Sequence, residues 1–436
     1  MKKIILLSIA VILVLGIAAG AYWWSTRPQV ITFSDDATLT LLGVDYGKRH
    51  TQPGSKKPAA TGARQTGGGS GSFTTPTDAL VVWVKMKYET QGYHYFQYYL
   101  YDKAGTACVQ AGPRNWRNNG NEVVAIQFDA FPRRQGRLSI RVQEQGNGGQ
   151  EMSEQKFFIS NPASRKSYTK WTPDPLPITK KEDDVSVTLI KLVAGADMPY
   201  QRIQDDADDA ANKGVQAVFH VERGGKPVTN WEPTMVETTD ATGNRINGGI
   251  SQNKWQGGDD TVTYQYGLWP DEAAWKLRVE FLQKSDFNSN ELWAVQNIPL
   301  QPGRQQDFNN FGNNGRRQTN SVFAETDLNG YHVKIFPAIQ FTDVPANQQP
   351  QGGLNVQITP SLKDGMHMTL VKLVDDQGGD LGNWDYGTYG NGTSTTYRYG
   401  LRDVAGATNV NLSITLNKGH FFEFTAKPEK AADTQP

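Results

Sequence analysis

The sequence predicts an all-β protein: one N-terminal membrane helix followed by three tandem β-sandwiches of immunoglobulin or fibronectin type. Three observations predict it. Short runs of alternating apolar and polar residues recur throughout, which is the period-two pattern of half-buried strands. They are separated by clusters drawn from 44 Gly, 22 Pro and many Asn and Asp residues, the residues that turns require. Finally, the order of these runs repeats three times along 436 residues, a length that suits about three folding units.

The N-terminus is different in kind. Lys2 and Lys3 precede an uncharged apolar run from Ile4 to Trp24. As a helix rising about 1.5 Å per residue it covers the roughly 30 Å of a bilayer's hydrocarbon layer. Tyr22, Trp23 and Trp24 have the amphipathic rings expected at a membrane interface, and the two lysines keep the N-terminus in the cytoplasm. Residues 1–29 are therefore read as a signal anchor, with the bulk of the chain periplasmic or extracellular. The competing reading is a cleaved signal peptide, for which Ala19-Gly20-Ala21 offers a small-x-small site. Either way the rest of the chain is exported.

The repeat rests on four landmarks. A turn signature Asp-x-x-Gly follows an apolar run at Asp102–Gly105, Asp240–Gly243 and Asp376–Gly379, 138 residues apart (102 to 240) and then 136 (240 to 376). Asp opening a type I turn with Gly supplying positive φ closes a hairpin. Alternating strands recur at Leu138–Val142, Leu277–Phe281 and Leu412–Leu416. Ile126–Phe128, Tyr264–Leu268 and Tyr399–Leu401 precede them, and aromatic closing strands come after them at Phe157–Ile159, Leu292–Val295 and Phe421–Phe424. Opening strands fall at 37–41, 185–189 and 331–335. Such a run of short strands with regular turn signals resembles a β-sandwich in architecture alone, since the Cys…Trp…Cys pattern of true immunoglobulin domains is missing.

Composition supplies the boundaries. The first sandwich spans 30–163, with a flexible Gly-rich insertion over 47–77; a Pro-rich linker covers 164–183. The second sandwich spans 184–303, a polar linker 304–320 and the third sandwich 321–427, ending in a polar tail over 428–436. Helix signals are confined to Ile203–Asn212 and one turn at Pro270–Ala274.

Function is bounded mainly by exclusion. Lys+Arg and Asp+Glu both number 44 and the pI is about 7.0, which removes the basic signature of a nucleic-acid binder. The single cysteine, Cys108, precludes internal disulfides and Cys-rich metal centres, and six scattered His leave little for metal ligation. No P-loop, Gly-x-Ser-x-Gly elbow or His-Glu-x-x-His is present. Asp205, Asp206, Asp208 and Asp209 are hard oxygen donors of the kind calcium takes, without the spacing of a known calcium loop; a solvated acidic segment is the simpler reading. Trp116, Trp255 and Trp384, the last beside Tyr386, each sit in a Gly/Asn-rich context. An indole on a polar loop suits stacking on a sugar or docking a protein, while a structural plug over the sandwich edge explains the recurrence equally well. The aromatic run Tyr93–Tyr101 is either an interface or cross-strand packing. The expected function is a non-catalytic, membrane-anchored scaffold or adhesion protein. A secreted carbohydrate binder using the loop tryptophans, or a hydrolase with an unrecognised carboxylate pair, are the alternatives.

Overall fold

The computed structural model describes residues 29–430 except 34–36, 55–71, 88–94, 102–106, 110–112, 119–120, 146–150, 198–212, 310–320 and 345–350, and positions 249, 257–258, 266–267, 270, 364 and 391. With 67% strand and 3% helix the chain is all-β, as the alternating pattern requires. The proposed anchor and the acidic segment 205–209 lie outside the described residues. Among the described residues no helix is long and apolar enough to cross a membrane.

The first strands are β1 (Val30–Thr32), β2 (Thr38–Thr51), β3 (Ser72–Lys87), β4 (Tyr95–Tyr101), β5 (Ala107–Val109), β6 (Pro113–Asn118), β7 (Asn121–Phe128), β8 (Arg137–Gln145) and β9 (Glu151–Ser160). They form two sheets, β1-β2-β3-β7-β6 and β5-β4-β8-β9. Because successive side chains alternate between faces, Leu80, Val82 and Val84 of β3 point the same way and meet Leu138, Ile140 and Val142 of β8 in one core. Phe96, Tyr98 and Leu100 of the aromatic run are buried in that core; Gln97 and Tyr99 are half-buried. Within the Gly-rich insertion, residues 47–51 and 72–77 are strand, with Arg49 opposite Thr74; 55–71 lie outside the described residues.

The next strands are β10 (Ile178–Glu182), β11 (Val185–Asp197), β12 (Lys213–Arg223), β13 (Lys226–Pro227), β14 (Trp231–Asp240), β15 (Arg245–Gly248), β16 (Ile250–Gln256), β17 (Asp259–Gln265) and β18 (Trp275–Gln283). The last are β19 (Trp293–Gly303), β20 (Ala324–Leu328), β21 (Tyr331–Ile335), β22 (Ala338–Phe341), β23 (Gln351–Thr359), β24 (Met366–Asp375), β25 (Asn383–Gly390), β26 (Thr395–Arg402), β27 (Asn409–Lys418), β28 (His420–Ala426) and β29 (Glu429–Lys430). The five-strand order of the first set recurs as β10-β11-β12-β17-β16 and as β20-β21-β23-β26-β25. The opening strands read from the sequence fall on β2, β11 and β21, the second place in each order, while the three Leu-initiated strands fall on β8, β18 and β27, outside it.

The closing strands do not follow the same rule. In the first set β9 returns beside β8, Ile140 opposite Phe157. In the second, β18 is followed by β19, yet β19 pairs with β27, Trp293 opposite Ile414. The strand beside β18 is β28, which comes directly after β27, with Leu277 opposite Phe424. The last two sets thus exchange their closing strands, and the sheets run across the expected boundary near 303. The cause is the connection. A hairpin needs at least a two-residue turn, and only Gly419 separates β27 from β28, so β28 cannot fold back on β27 and runs on into the neighbouring sheet. A Cβ at Gly419 would lie 2.3 Å from Glu280 Oε1. Glu280, 3% exposed, accepts from Thr234 Oγ1 at 2.9 Å and from His367 Nε2 at 2.8 Å, so its buried carboxyl is satisfied from both sets.

The segments assigned to linkers and tail are partly built in. Ile178–Glu182, at the end of the Pro-rich stretch, forms β10 along β11. A short helix, Gln305–Asn309, buries Phe308 against Phe341, ring centroids 5.6 Å apart. β29 lies parallel to β11. One turn also shifts register: in the third copy the carboxylate accepting the turn amides belongs to Asp375, which takes the N–H groups of Gln377 and Gly379, just as Asp240 takes those of Thr242 and Asn244. With aspartates at both 375 and 376, the spacing to Gly alone picks the wrong one. The first copy, 102–105, lies outside the described residues.

Candidate functional site

The three tryptophans lie on strands rather than on loops. Trp116 is on β6 opposite Val123, Trp255 on β16 opposite Asp260, and Trp384 on β25 opposite Gly400. Each strand is the terminal one of its five-strand order among the described residues, and each is the first arm of a hairpin. Asn383 and Gly387, which look like loop in the sequence, lie within β25 itself. Trp384 and Tyr386 share β25. The side chains of these four residues lie outside the described residues; their backbones place the three indole positions at one topological address, on an outer edge whose far-side N–H and C=O groups are those a further strand would use.

A His-centred trio that sequence reading missed lies on the β2–β3 hairpin. His50, fully buried, has Nδ1 3.3 Å from Asp45 Oδ2 and Nε2 3.2 Å from Thr75 Oγ1. That is the order of a hydrolytic triad, but the hydroxyl proton is engaged elsewhere. Thr75 Oγ1 donates to the Thr77 carbonyl at 2.7 Å, so toward His50 it can only accept, whereas a nucleophilic hydroxyl must give its proton to the imidazole. Stacked on Phe73 at 5.1 Å, this imidazole braces the hairpin. No motif marks the trio because its members come from two strands joined by a long connection.

Strand exchange brings together another trio. Glu182 and Asp183 at the β10–β11 turn and His420 at the start of β28 place their ligand atoms within 4.8 Å of one another, and Trp231 packs edge-on to the His420 ring at 5.0 Å. Such an O,O,N set is chemically able to hold a divalent cation. It joins residues 237 positions apart (183 to 420), which no local spacing could reveal.

A polar cleft of about 810 Å³ opens in the first set, lined among others by Gln29, Leu41, Val44, Arg137, Phe158 and Arg165. Gln29 fixes its mouth by bonding both ways to Phe158: Nε2 donates to the Phe158 carbonyl at 2.8 Å and Oε1 accepts its N–H at 3.3 Å. The Arg137 guanidinium lies 4.4 Å over the Phe158 ring.

The first and second sets are held at a fixed relation by buried polar groups. Asn244 exchanges hydrogen bonds with the Phe131 backbone, at 2.9 and 3.2 Å. Arg133, 4% exposed, donates to Asn244 Oδ1, the Thr242 carbonyl and the Asp78 carbonyl at 3.0, 2.9 and 2.9 Å. Next to it Arg134 Nε meets both oxygens of Glu272 at 3.0 Å. Burial holds the Glu272 carboxyl above the usual glutamate range despite that arginine.

No protein-family model matches this chain, and no curated protein matches it.

Proposed function

We propose that this is an exported scaffold or adhesion protein, anchored through residues 4–24, whose three immunoglobulin- or fibronectin-like sandwiches present equivalent tryptophan-bearing edge strands to a protein or glycan. One observation carries the reading: Trp116, Trp255 and Trp384 fall on corresponding terminal strands of sets joined by the Arg133–Asn244 contact and by exchanged strands. Binding elements held at set separations engage a repetitive partner with a higher effective concentration than the same elements on flexible linkers. Rigid joints between units suit presentation at fixed spacing.

Two measurements test it. Membranes washed with alkaline carbonate should retain the full-length chain; its release, with a shortened N-terminus, would establish a cleaved signal and a secreted protein. A Trp116→Ala, Trp255→Ala, Trp384→Ala chain should lose binding on glycan arrays or to partners captured at the cell surface while keeping the parent's unfolding midpoint. Unchanged binding would remove the tryptophan strands from the proposal, and a shared drop in stability would make the rings structural.

A further inference from the structure

Val30, 54% exposed, and Phe158, 44% exposed, are the two most exposed large apolar side chains among the described residues. They are not scattered: Phe158 lines the 810 Å³ cleft and Gln29, bonded to it at both ends of its amide, also lines it and directly precedes Val30. The same mouth carries Arg137 and Arg165, both exposed, and neither has a carboxylate partner among the described residues. Lys166, by contrast, is engaged by Asp78 at 3.4 Å. Exposed apolar groups next to guanidinium groups without a carboxylate partner match a bilayer's boundary, where acyl chains meet anionic headgroups.

The chain's path supplies the position. Only residues 25–28 separate Gln29 from the end of the apolar run at Trp24. Fully extended, they let Gln29 stand at most about 17 Å from the hydrocarbon edge, and the headgroup layer fills roughly 5 to 8 Å of that distance. We infer that the cleft beside Gln29 is a seat for an anionic phospholipid headgroup, with Arg137 and Arg165 taking the phosphate and Val30 and Phe158 entering the interface, so that the first set rests on the membrane. This rests on the anchor proposed above.

The test uses the full chain in nanodiscs, of phosphatidylcholine alone or with phosphatidylglycerol, read by amide hydrogen exchange over residues 29–33 and 157–160. Exchange should slow in the anionic discs by about fivefold for each arginine engaged. An Arg137→Ala, Arg165→Ala chain should lose the difference, and Arg137→Lys, Arg165→Lys should keep most of it. Equal exchange in both lipids, from a chain that resists carbonate, overturns the headgroup seat and leaves the anchor standing; release by carbonate removes both. Added glycerol 3-phosphate should not protect these amides in phosphatidylcholine discs. Protection at millimolar concentration would assign the cleft to a soluble phosphate ester and overturn the lipid assignment.

Discussion

The two junctions of this molecule are made by different means. Between the first and second sets the contact is side chain on backbone: Arg133 and Asn244 fill a gap between units that each complete their own ladder on that side. Between the second and third the contact is the ladder itself, since each set finishes with the other's strand. The strands concerned are of one kind, alternating and aromatic, so their sequences do not set the difference. Connection length does: positions 146–150 separate β8 from β9 and leave chain enough for the return, whereas Gly419 alone denies β28 the same course. Where two strands could pair equally well, the shortest loop decides which of them can.

The strongest way to break this contrast is to remove β28. A chain ending at Gly419 loses the buried Phe422, Phe424 and Ala426, roughly 3 to 6 kcal/mol of apolar burial for the two rings alone, against a typical total of about 5 to 15 kcal/mol for a domain. Limited proteolysis should then digest the second set and spare the first. A second set as resistant as in the full chain would refute the exchange. Next in size, Arg133→Ala leaves the Asn244 amide oxygen and two carbonyls short of a buried donor and should cost about 3 to 5 kcal/mol in urea unfolding. Its effect belongs to the first junction, so the protection of β18 and β28 amides relative to each other should hold.

Gly419→Ala sharpens the contrast from the other side. Its methyl group would enter the space of Glu280 Oε1 and Cγ, at a cost of about 1 to 3 kcal/mol, and the loss should appear in the second and third sets together. The smallest effect is in pH. Glu272 has its pKa raised by burial in the folded state, so its protonated form is favoured there. The stabilisation this gives is complete below the ordinary glutamate value of 4.5 and is lost as pH rises through the elevated folded value. Glu272→Gln should flatten the stability profile over that interval; an unaltered slope would show that Arg134 already holds the carboxylate ionised.

Strand identity was legible because burial on one face imposes a period of two, and Leu138–Val142 or Leu277–Phe281 could satisfy nothing else. Pairing was not, because a strand's pattern states which face is inside without stating which neighbour lies beside it. The same limit hid the His50 and His420 trios, whose members meet only after the strands are arranged. The tryptophans were found but misplaced: the neighbouring Asn and Gly residues read as loop, whereas β6 and β16 run through Trp116 and Trp255 to Asn118 and Gln256. Ile178–Glu182 was masked by the prolines before it, which set the composition of the window while five residues of alternating pattern formed β10.

Gly419 also sets a timetable. Ile140 meets Phe157, 17 positions later, so the first set has all of its strands once residue 160 has left the ribosome. Leu277 meets Phe424, 147 positions later, and the second set therefore waits, one side of β18 bare, until nearly the whole chain has emerged. The β18–β28 ladder is therefore completed late, and during that interval Leu277, Val279 and Phe281 lack their β28 partners and are open to other chains.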